Sequence, residues 1–538
     1  MRLSSALLLG AAAGAASSVQ AAPLGFADFE ARGSAALDAG FVAVARDLSA
    51  VARSCLEASG VAVTYPGDSA FSTQSQPENS VLPYTPAAIA APASADEVAS
   101  VTRCVAAQNG DVKVVPKSGG HSYTSASLGG QNGSVVIDLK QHLTAITIDA
   151  DAKTATVQAG ATLGPLAQAL GEKGFALPHG TCPTVGVGGH SLGGGWGFTS
   201  RSWGWLLDHI VSMQLVTPDG SIKSVNATSE PDLFWALRGA GASNFGTVTE
   251  FTYSLEDAPE SVVNYSFTYP SNDDCVQLIL AVQDLATRSD GRLDLGMGGE
   301  ILLYGENSGN DGACSFAGQF KGAASTFEAQ AGMLSDAMQS RGASTGTPAN
   351  TTFTGAATGS DSAWLRALTD LMGDLNAAAI SEPYYAKSLM DDGSPNYTAD
   401  SAKAIIDTIQ KHVLVEGTGI SLSLDLNGPG SATNANLTTA SAFDVHRTSL
   451  FFSQLYVYGQ PTDATAQQNV FAATDEIIES VKAAKPNGNW LLYVNYIDAQ
   501  IKDFGTQYYS TALERLKSIK AAVDPLTLFD FPQGLAHA

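Results

Sequence analysis

A glycine-rich stretch at residues 178–197 (PHGTCPTVGVGGHSLGGGWG) places one cysteine, Cys182, between two histidines, His179 and His190. Imidazole and thiolate groups are zinc ligands, and a backbone with so few side chains lets a large flat ligand approach closely. The spacing suits no common structural zinc site, and no carboxylate motif accompanies it, so we predict no metal site. The glycines also depart from G-x-G-x-x-G spacing, which disfavours a Rossmann dinucleotide site.

Cys182 is the odd member of a set of five cysteines. An unpaired thiol in a secreted protein requires an explanation. A disulfide that used Cys182 would leave one of the other four unpaired, whereas those four otherwise fall into sequence neighbours. We therefore expect two bridges that leave Cys182 out, namely Cys55 with Cys104 and Cys275 with Cys314.

A second stretch, residues 116–123 (PKSGGHSY), ends a predicted strand in a glycine turn. Such a turn exposes successive backbone N–H groups that can hold a pyrophosphate. The Gly-Lys-Ser/Thr ending of a Walker loop is missing. His121 lies just beyond Gly119 and Gly120, and taken alone it is interpreted as a structural histidine hydrogen-bonded within the turn.

A third stretch, residues 490–498 (WLLYVNYID), contains a predicted strand at 490–496. In a regular strand Tyr493 and Asn495 share one face, and Tyr496 and Asp498 point to the other. If the strand ends near Asn495, Tyr496 turns to the same side as Tyr493. The ordinary alternative is a half-buried aromatic strand with no chemistry.

The elements that must position these stretches form two regions. Residues 82–257 alternate between strands and helices, which predicts an α+β or α/β domain. Here we predict helices at 95–109, 163–173 and 232–238, and strands at 112–116, 134–139, 146–157, 209–217, 221–225 and 247–255.

After residue 257 the strands are separated by longer polar stretches and helices, which predicts a sheet with helices on one face. The predicted strands are 262–269, 297–304, 315–321, 420–426 and 450–458, and further helices are predicted at 41–58, 462–482 and 508–523.

The charge balance bears on partners. The chain carries 52 acidic and 28 basic residues, a net charge of −24. This argues against nucleic acid or an anionic membrane as a partner. With only 15% charged residues, the chain is globular rather than disordered.

The first 21 residues predict a signal peptide. Met1 and Arg2 precede a short apolar run, and a Val-Gln-Ala motif ends at Ala21. No later segment reads as a membrane span. Together with this leader, six Asn-x-Ser/Thr sequons predict a secreted, extracellular glycoprotein, at Asn132, Asn226, Asn264, Asn350, Asn396 and Asn436.

Taken in order, the three stretches resemble the FAD-linked oxidases of the berberine-bridge type, which have the vanillyl-alcohol-oxidase fold. Residues 118–123 (SGGHSY) match the phosphate loop with its flavin-attaching histidine, and residues 179–186 (HGTCPTVG) match the cysteine attachment. The resemblance runs from about residue 82 to 534, and within the family it is strongest to secreted fungal oligosaccharide oxidases. The C-terminal signature is matched by Tyr493, Asn495, Tyr496, Tyr509, Arg515, Ile519, Lys520, Asp524, Pro525, Phe531, Pro532 and Gln533.

The resemblance implies an α+β fold with a PCMH-type FAD-binding domain and a substrate domain whose antiparallel sheet is covered by helices. The implied segments are a signal peptide (1–21), the N-terminal part of the FAD domain (22–81), the FAD-binding domain (82–257), the substrate-binding domain (258–475) and a C-terminal berberine-bridge-type segment that returns to the FAD domain (476–538).

The resemblance also implies bicovalent FAD, with His121 bonded to the ring methyl and Cys182 to the neighbouring ring carbon. Two tethers hold the ring rigidly and raise its redox potential, which favours hydride removal from an unactivated alcohol. The implied FAD contacts, besides those two residues, are Lys117, Ser118, Gly119, Gly120, Ser122, Gly180, Val185, Gly186, Gly188, Gly189, His190, Gly193, Val248 and Asn495. Val185 resembles the small gate residue of oxidases, and it would equally serve as a packing residue.

For the reaction, the resemblance implies Tyr496 as the general base. A tyrosine titrates near pH 10 and needs help at neutral pH, which Asp425 would give. The alternative for Asp425 is a plain strand-end residue. The implied substrate contacts are Tyr123, Thr181, Glu300, Gln454 and Tyr493.

The chain departs from its best-understood relatives in the substrate pocket. Gly298 stands where they carry an arginine, and Ser421 and Ser423 stand where larger residues are expected. Loss of a bidentate cation removes specific sugar contacts.

We therefore expect a monomeric oxidase that converts the anomeric hydroxyl of an oligosaccharide to a lactone, with oxygen as acceptor and hydrogen peroxide as product. The alternatives are an oxidase of a secondary-metabolite alcohol or alkaloid, and a flavin-loaded binding module without turnover.

Overall fold

The computed structural model describes residues 48–538, apart from 289–291, 392, 394–396, 414–417, 436–440, 444–446 and 486–487. The predicted signal peptide, the first part of the predicted 41–58 helix and the sequons at Asn396 and Asn436 lie outside the described residues.

Two sheets carry the chain up to residue 257. The first contains β1 (Ala62–Thr64), β2 (Ala88–Ala91), β3 (Val114–Lys117) and β4 (Val135–Asp138), in the order β1-β2-β4-β3. Strands β2 and β3 run parallel to β4. The carboxyl end of β3 therefore delivers the glycine turn before His121 to one edge of this sheet.

The second sheet is antiparallel and has the order β5-β6-β10-β8-β9. Its strands are β5 (Ile146–Asp149), β6 (Thr154–Gln158), β8 (Ile210–Val216), β9 (Ile222–Asn226) and β10 (Thr247–Ser254), while β7 (Phe175–Ala176) pairs with β11 (Glu256–Asp257). The strands predicted for this region are confirmed.

The helices of the described chain lie between and around the sheets. They are α1 (Ala50–Ala58), α2 (Phe71–Gln74), α3 (Ala95–Ala106), α4 (Leu163–Glu172), α5 (Val187–Leu192), α6 (Ser200–Trp203), α7 (Pro231–Ala240), α8 (Asn272–Thr287), α9 (Ala324–Ser340), α10 (Ala363–Met372), α11 (Ala399–His412), α12 (Ala464–Ala484), α13 (Phe504–Tyr509) and α14 (Leu513–Val523). Helix α3 begins at a Ser94 cap that accepts a hydrogen bond from the Glu97 N–H, as the capping-box pattern predicts.

A seven-stranded antiparallel sheet follows, in the order β15-β12-β14-β13-β17-β18-β16. Its strands are β12 (Ser261–Tyr269), β13 (Met297–Leu303), β14 (Cys314–Lys321), β15 (Thr347–Thr354), β16 (Tyr384–Met390), β17 (Gly419–Leu426) and β18 (Phe451–Tyr458). The five predicted strands are confirmed, and β15 and β16 extend the sheet at its two edges.

The two faces of this sheet differ in chemistry because side chains alternate along each strand. One face carries residues such as Ile301, Leu424 and Leu455, all buried, and helices α8, α11 and α12 cover it. The opposite face carries Glu300, Asp425 and other polar side chains, in register across β13, β17 and β18. Helix α10 packs on the polar face at its β12 end, where Asn264 Nδ2 donates to the Ala367 carbonyl. The predicted sheet covered by helices is present, but the helices are not confined to one face, and the part of the polar face around Glu300 and Asp425 is left for the site.

The predicted strand at 490–496 is wrong. Residues Val494–Tyr496 form a 3₁₀ turn, closed by the Tyr496 N–H on the Tyr493 carbonyl (2.9 Å). The Tyr493 N–H donates to Ser388 Oγ (2.9 Å) on β16. Of the described residues 490–496, only Leu491 keeps a bridge, with Met390 of β16, and after it side-chain and turn bonds replace the ladder bonds of a strand.

The predicted helix at 508–523 is divided into α13 and α14. The break falls at Ser510, whose φ of 42° lies in the left-handed region. The chain then returns to the first sheet, where the Val114 N–H donates to the Leu528 carbonyl (2.9 Å). The segment boundaries at residues 81, 257 and 475 remain predictions.

Both predicted disulfides are present. Cys55 bonds Cys104 with their Cα atoms 5.5 Å apart, and Cys275 bonds Cys314 with their Cα atoms 5.8 Å apart. Cys182 carries a thiol.

The structure corrects one predicted glycosylation site. Asn264 lies inside β12 and is 6% exposed. Its amide nitrogen, the atom that would carry a glycan, donates to the Ala367 carbonyl (2.8 Å) and to Asp370 Oδ2 (2.9 Å). The sequons at Asn132, Asn226 and Asn350 are half-buried or exposed and remain predictions.

No helix in the described part of the chain has the length and apolar character needed to cross a bilayer.

Candidate active site

The first glycine loop (residues 116–123) and the second glycine loop (residues 178–197) contact each other backbone to backbone at the base of the site. A Cβ atom on Gly119 would lie 2.3 Å from the Gly186 nitrogen, and one on Gly186 would lie 2.0 Å from the Gly119 nitrogen. Only glycine allows this backbone approach. Ser118 fastens the contact, since its hydroxyl donates to the Ala159 carbonyl (2.5 Å) and accepts from the Gly188 N–H (3.2 Å). The loops that carry His121 and Cys182 are thereby held together.

One hydroxyl links the imidazole to the thiol. Thr184 Oγ1 lies 2.8 Å from His121 Nε2 and 3.4 Å from Cys182 Sγ. Residues separated by more than 60 positions in the sequence therefore share one hydrogen-bonding partner. The prediction that His121 and Cys182 belong to one site agrees with this geometry.

The surroundings keep His121 uncharged. Loss of solvation, with a smaller effect of Lys140, lowers the pKa of His121 to about 4. Its other nitrogen, Nδ1, lies 3.6 Å from Glu78 Oε1. Burial raises the pKa of Glu78 to about 7, and the Tyr384 hydroxyl donates a hydrogen bond to this carboxyl.

These groups fit an organic ring better than a metal. Among the described residues, no cluster of three or more His, Cys, Asp and Glu side chains could hold a metal ion. The backbone N–H groups of Gly119, Gly120 and His121 donate to no acceptor within the described chain. A Cβ atom on Gly189 would meet nothing within 4 Å. N–H groups without acceptors can bind a pyrophosphate, and the open space beside Gly189 of α5 can accept a flat ring.

The C-terminal segment locks the second glycine loop. Asn495 Nδ2 donates to the His190 carbonyl (3.0 Å), and the Asn495 amide leaves no space for a side chain on Gly193. His190 Nε2 accepts the Gly180 N–H (3.1 Å), which shapes the turn before Cys182. Asn495 and His190 therefore fix the conformation of the loop at Gly193 and Gly180, and the predicted FAD contacts of these four residues remain predictions.

Tyr493 also contacts this loop, and the structure does not support its predicted substrate contact. Its side chain is 1% exposed, and its hydroxyl accepts hydrogen bonds from the Gly195 N–H (2.9 Å) and Asn495 Nδ2 (3.1 Å). The hydroxyl is committed to the protein because the chain turns at Val494 instead of continuing as a strand.

Tyr496 lies above the polar face of the large sheet. Its ring stacks on Tyr123 with centroids 5.6 Å apart and packs edge-on against Tyr493 at 5.0 Å. Loss of solvation, followed by the negative charge of Asp425, raises the pKa of Tyr496 well above 10. Tyr496 is therefore a neutral phenol at rest.

Below it, Glu300 and Asp425 form a carboxyl pair at directly opposed positions of β13 and β17. Loss of solvation and mutual repulsion raise the pKa of Asp425, and loss of solvation raises the pKa of Glu300 to about 7. Asp425 Oδ1 and Ser423 Oγ are buried, and neither makes a hydrogen bond of full geometry within the described chain, although the nearby Ser423 hydroxyl lowers the pKa of Asp425. The pair therefore keeps a proton at neutral pH.

Replacing Glu300 with glutamine is expected to flatten the pH dependence of stability. Because the folded pKa lies above the unfolded one near 4.5, the folded state holds more protons between pH 4.5 and 7, and the free energy of unfolding falls as pH rises. Glu300→Gln removes this titration, so between pH 5 and pH 8 the variant should lose less free energy of unfolding than wild type does, by on the order of 1 kcal/mol. Thermal unfolding at both pH values measures this, with exposed Glu328→Gln as control; parallel curves for wild type and Glu300→Gln would contradict it.

Three packed tyrosines, Tyr123, Tyr384 and Tyr456, lie on the same side of the sheet as the carboxyl pair. Gln454 Nε2 donates to the Tyr123 hydroxyl (2.6 Å), and the Tyr123 ring packs edge-on against Tyr384 and Tyr456 at 5.3 and 6.2 Å. Tyr384 and Tyr456 stack with centroids 5.1 Å apart. Tyr123, Gln454 and Glu300 thus lie near Tyr496 on the polar face, and their roles as substrate contacts remain predictions.

The structure shows what lies beside Gly298, the predicted arginine position of the relatives. A Cβ atom on Gly298 would lie 1.5 Å from the Phe198 carbonyl oxygen. The backbone of residue 198 fills the space, so no open subsite results from the glycine. Ser421 and Ser423 do lie on the polar face of β17, opposite Tyr456 and Gln454.

Gly298→Ala is therefore expected to destabilise the fold by about 1–3 kcal/mol, since strand and carbonyl must separate. Gly332→Ala is the matched control, because Gly332 lies inside helix α9 with nothing within 4 Å of an added Cβ. It should be neutral or stabilising by about 0.5–1 kcal/mol. Thermal unfolding compares the two; equal melting temperatures would contradict the Gly298 prediction.

Other predicted site residues have partners elsewhere. Lys117 Nζ donates to the Gln74 carbonyl (2.9 Å) and pairs with Asp138 (3.4 Å), while Lys117 Cε lies 3.3 Å from the position of a Cβ atom on Gly120. The ammonium group is thus bound on the protein, and its predicted FAD contact remains a prediction. Ser122 Oγ accepts the Ala126 N–H (3.1 Å), and Val248 is buried in β10. Thr181 lines a small cavity with Phe198, Trp364 and Met372. For Thr181, Val185 and Val248 the predicted contacts stay predictions.

Sequence reasoning missed Thr184, Glu78, Tyr384 and Tyr456. Thr184 lies two residues after Cys182, so the matched motif contained it without indicating its role. Glu78 and Tyr384 are 306 positions apart, and only their contact marks them. Alternation along β18 could have placed Tyr456 on the face of Gln454.

Residues 86–226 match a family model described as an FAD binding domain, and residues 492–536 match one described as berberine and berberine like. A xylooligosaccharide oxidase from Thermothelomyces thermophilus is 34% identical over 504 residues, which span 90% of this chain and 94% of that protein. The structure of a carbohydrate oxidase from Microdochium nivale with a substrate analogue superposes with a TM-score of 0.79 at 29% identity, covering 90% of this chain and 99% of that one.

A glucooligosaccharide oxidase from Acremonium strictum, with a 6-S-cysteinyl, 8α-N1-histidyl FAD, superposes with a TM-score of 0.77 at 28% identity, covering 89% of this chain and 98% of that one.

The fold and the site define a flavoprotein with a PCMH-type FAD-binding domain, an oxidoreductase. More specifically, the chain belongs to the berberine-bridge-type family of FAD-linked oxidases.

Proposed function

We propose that this protein oxidises the anomeric hydroxyl of an oligosaccharide to a lactone and passes the electrons to oxygen, giving hydrogen peroxide. The observation that carries this is a pair of buried polar groups on the polar face beneath Tyr496, the Asp425 carboxyl group and the Ser423 hydroxyl, whose Oδ1 and Oγ atoms make no hydrogen bond of full geometry within the described chain. Buried polar groups without such bonds are costly unless a ligand supplies partners. A polyhydroxylated sugar supplies several.

The cofactor is held, in this proposal, by two covalent bonds, one to His121 and one to Cys182. Their common contact with Thr184 supports it, as does the histidyl and cysteinyl linkage of the Acremonium strictum oxidase. The N–H groups of Gly119, Gly120 and His121 would hold the pyrophosphate. When bound, FAD supplies a two-electron acceptor for the hydride of the substrate and returns the electrons to oxygen.

Tyr496 takes the proton of the substrate hydroxyl. Because its raised pKa leaves no tyrosinate at neutral pH, Tyr496 must release its own proton as it accepts the new one. Asp425 is the acidic group whose charge acts most strongly on it. Asp425 holds the proton of the pair, so it can take the Tyr496 proton only as it passes its own proton to the Glu300 carboxylate.

The three tyrosines beside the carboxyl pair, Tyr123, Tyr384 and Tyr456, support an oligosaccharide as the substrate class. Tyr123, Tyr384 and Tyr456 present ring faces and edges on which the apolar side of a sugar ring can pack. Gln454, Ser421 and Ser423 present hydrogen-bonding groups to its hydroxyls. Oligosaccharide oxidases among the relatives, such as the one acting on xylooligosaccharides, support this class.

An extracellular location and a monomeric state complete the proposal. The two disulfides are consistent with an oxidising compartment.

A peroxide assay with a panel of mono- and oligosaccharides tests the function. We expect peroxide with at least one oligosaccharide that has a free reducing end, and none once that end is reduced to an alditol. If no sugar gives peroxide but a phenolic or alkaloid alcohol does, the secondary-metabolite alternative is established instead.

A further inference from the structure

The buried Thr184 hydroxyl lies between the two side chains proposed to attach FAD, His121 and Cys182. Thr184 is 7% exposed, and its hydroxyl lies between His121 Nε2 at 2.8 Å and Cys182 Sγ at 3.4 Å. A threonine hydroxyl has one hydrogen to donate and lone pairs to accept with. It can therefore donate to only one of these two partners at a time.

Two arrangements of protons are available. In one, Thr184 donates to His121 Nε2, the imidazole proton sits on Nδ1, and the sulfur gains no donor. In the other, His121 donates from Nε2 to Thr184 Oγ1, and the hydroxyl hydrogen points to Cys182 Sγ. Only the second leaves Nδ1 without a proton and gives the sulfur a donor that stabilises a thiolate.

Two observations favour the second arrangement. The imidazole is neutral at physiological pH, because burial lowers the pKa of His121 to about 4. A neutral ring carries a single proton, and Nε2 has a close acceptor at 2.8 Å, whereas the Glu78 oxygen nearest Nδ1 is 3.6 Å away. The proton is better held on Nε2, since a contact of 3.6 Å is too long for a hydrogen bond.

We propose that Thr184 is the positioning residue for both flavin attachments: its hydroxyl holds His121 in the tautomer with a bare Nδ1 and donates to Cys182 Sγ. This inference rests on the proposed bicovalent attachment. In each attachment, one N–H or S–H bond of the protein and one C–H bond of the flavin are replaced by a C–N or C–S bond. The two hydrogens, with their two electrons, reduce oxygen to hydrogen peroxide.

The experiment uses the full-length chain, produced under riboflavin limitation and then supplied with FAD. Covalent incorporation is followed over time by mass spectrometry of the His121 and Cys182 peptides, with total bound FAD measured in parallel. The variants are Thr184→Val, which keeps the shape and loses the hydroxyl, Thr184→Ala as a second hydroxyl-free variant, and Thr184→Ser, which keeps the hydroxyl. Thr184→Val is also combined with His121→Ala and, separately, with Cys182→Ala.

We expect Thr184→Val and Thr184→Ala to bind total FAD as wild type does but to attach it about tenfold more slowly at both peptides, the effect of one lost hydrogen bond. Thr184→Ser should recover most of the rate. The slowing should persist in each single-attachment background, because the hydroxyl contacts each partner directly.

Three results would overturn the proposal: wild-type rates at both peptides in the two hydroxyl-free variants, a Thr184→Ser variant as slow as they are, or loss of total bound FAD from both of them. Absence of covalent FAD in the wild-type chain would instead refute the bicovalent attachment itself.

Discussion

Tyr496→Phe is expected to lower kcat by a factor of about 10²–10⁴, the range found for loss of a general base. The phenol stands above the Asp425 carboxyl group and is surrounded by rings on Tyr123, Tyr493 and Phe452. Phenylalanine keeps those ring contacts, so the change removes a proton acceptor and little packing. Flavin content, read from the absorbance of the native protein, should stay the same.

Tyr123→Phe provides the matched control for this prediction. Its ring stacks on Tyr496, and its hydroxyl accepts one hydrogen bond from Gln454. Loss of that bond should raise KM several-fold and change kcat far less than Tyr496→Phe does. Steady-state kinetics of both variants with one oligosaccharide separates the two effects. A Tyr496→Phe enzyme with near-normal kcat would remove Tyr496 from the reaction.

The second large effect concerns retention of the cofactor. Acid-precipitated wild-type protein should stay yellow, the single variants His121→Ala and Cys182→Ala should each stay yellow, and only the double variant should release all its flavin. Each single variant keeps one of the two groups that meet at Thr184. The double variant can still hold FAD through the N–H groups of the glycine loop, so its native spectrum should remain that of a flavoprotein.

Absorbance of the washed pellet and in-gel fluorescence measure this retention. Cys182→Ser combined with His121→Ala is the closer control for packing, because serine replaces the thiol with little change in volume. Colour that washes away from the wild-type pellet would refute the covalent attachment.

The glycine loops and most strands could be predicted because their signals are local. Gly119 and Gly186 belong to compact motifs, and the sheet strands show alternation or apolar runs. The carboxyl pair is different: Glu300 and Asp425 are far apart in the sequence, and the resemblance named both without indicating that strand register places them side by side.

The failures arise where distant contacts override a local pattern. Residues 490–496 have the composition of a strand, but Ser388 and the Val494 turn take the bonds that a strand would use. The Asn264 sequon is a three-residue signal, whereas its burial depends on Ala367, Asp370 and Gln319. The sequence shows that Gly298 lacks a side chain, but only the structure shows that the Phe198 carbonyl occupies the adjacent space.

The last forty or so residues supply Asn495 to the second glycine loop and the Leu528 carbonyl to β3. Lys520, buried with Asp524, ties the same segment to the Asn244 and Phe529 carbonyls. During synthesis these residues leave the ribosome after every other part of the cofactor cradle. The loop that carries Cys182 consequently takes its final shape only after the segment with Asn495 has been synthesised and has packed against it.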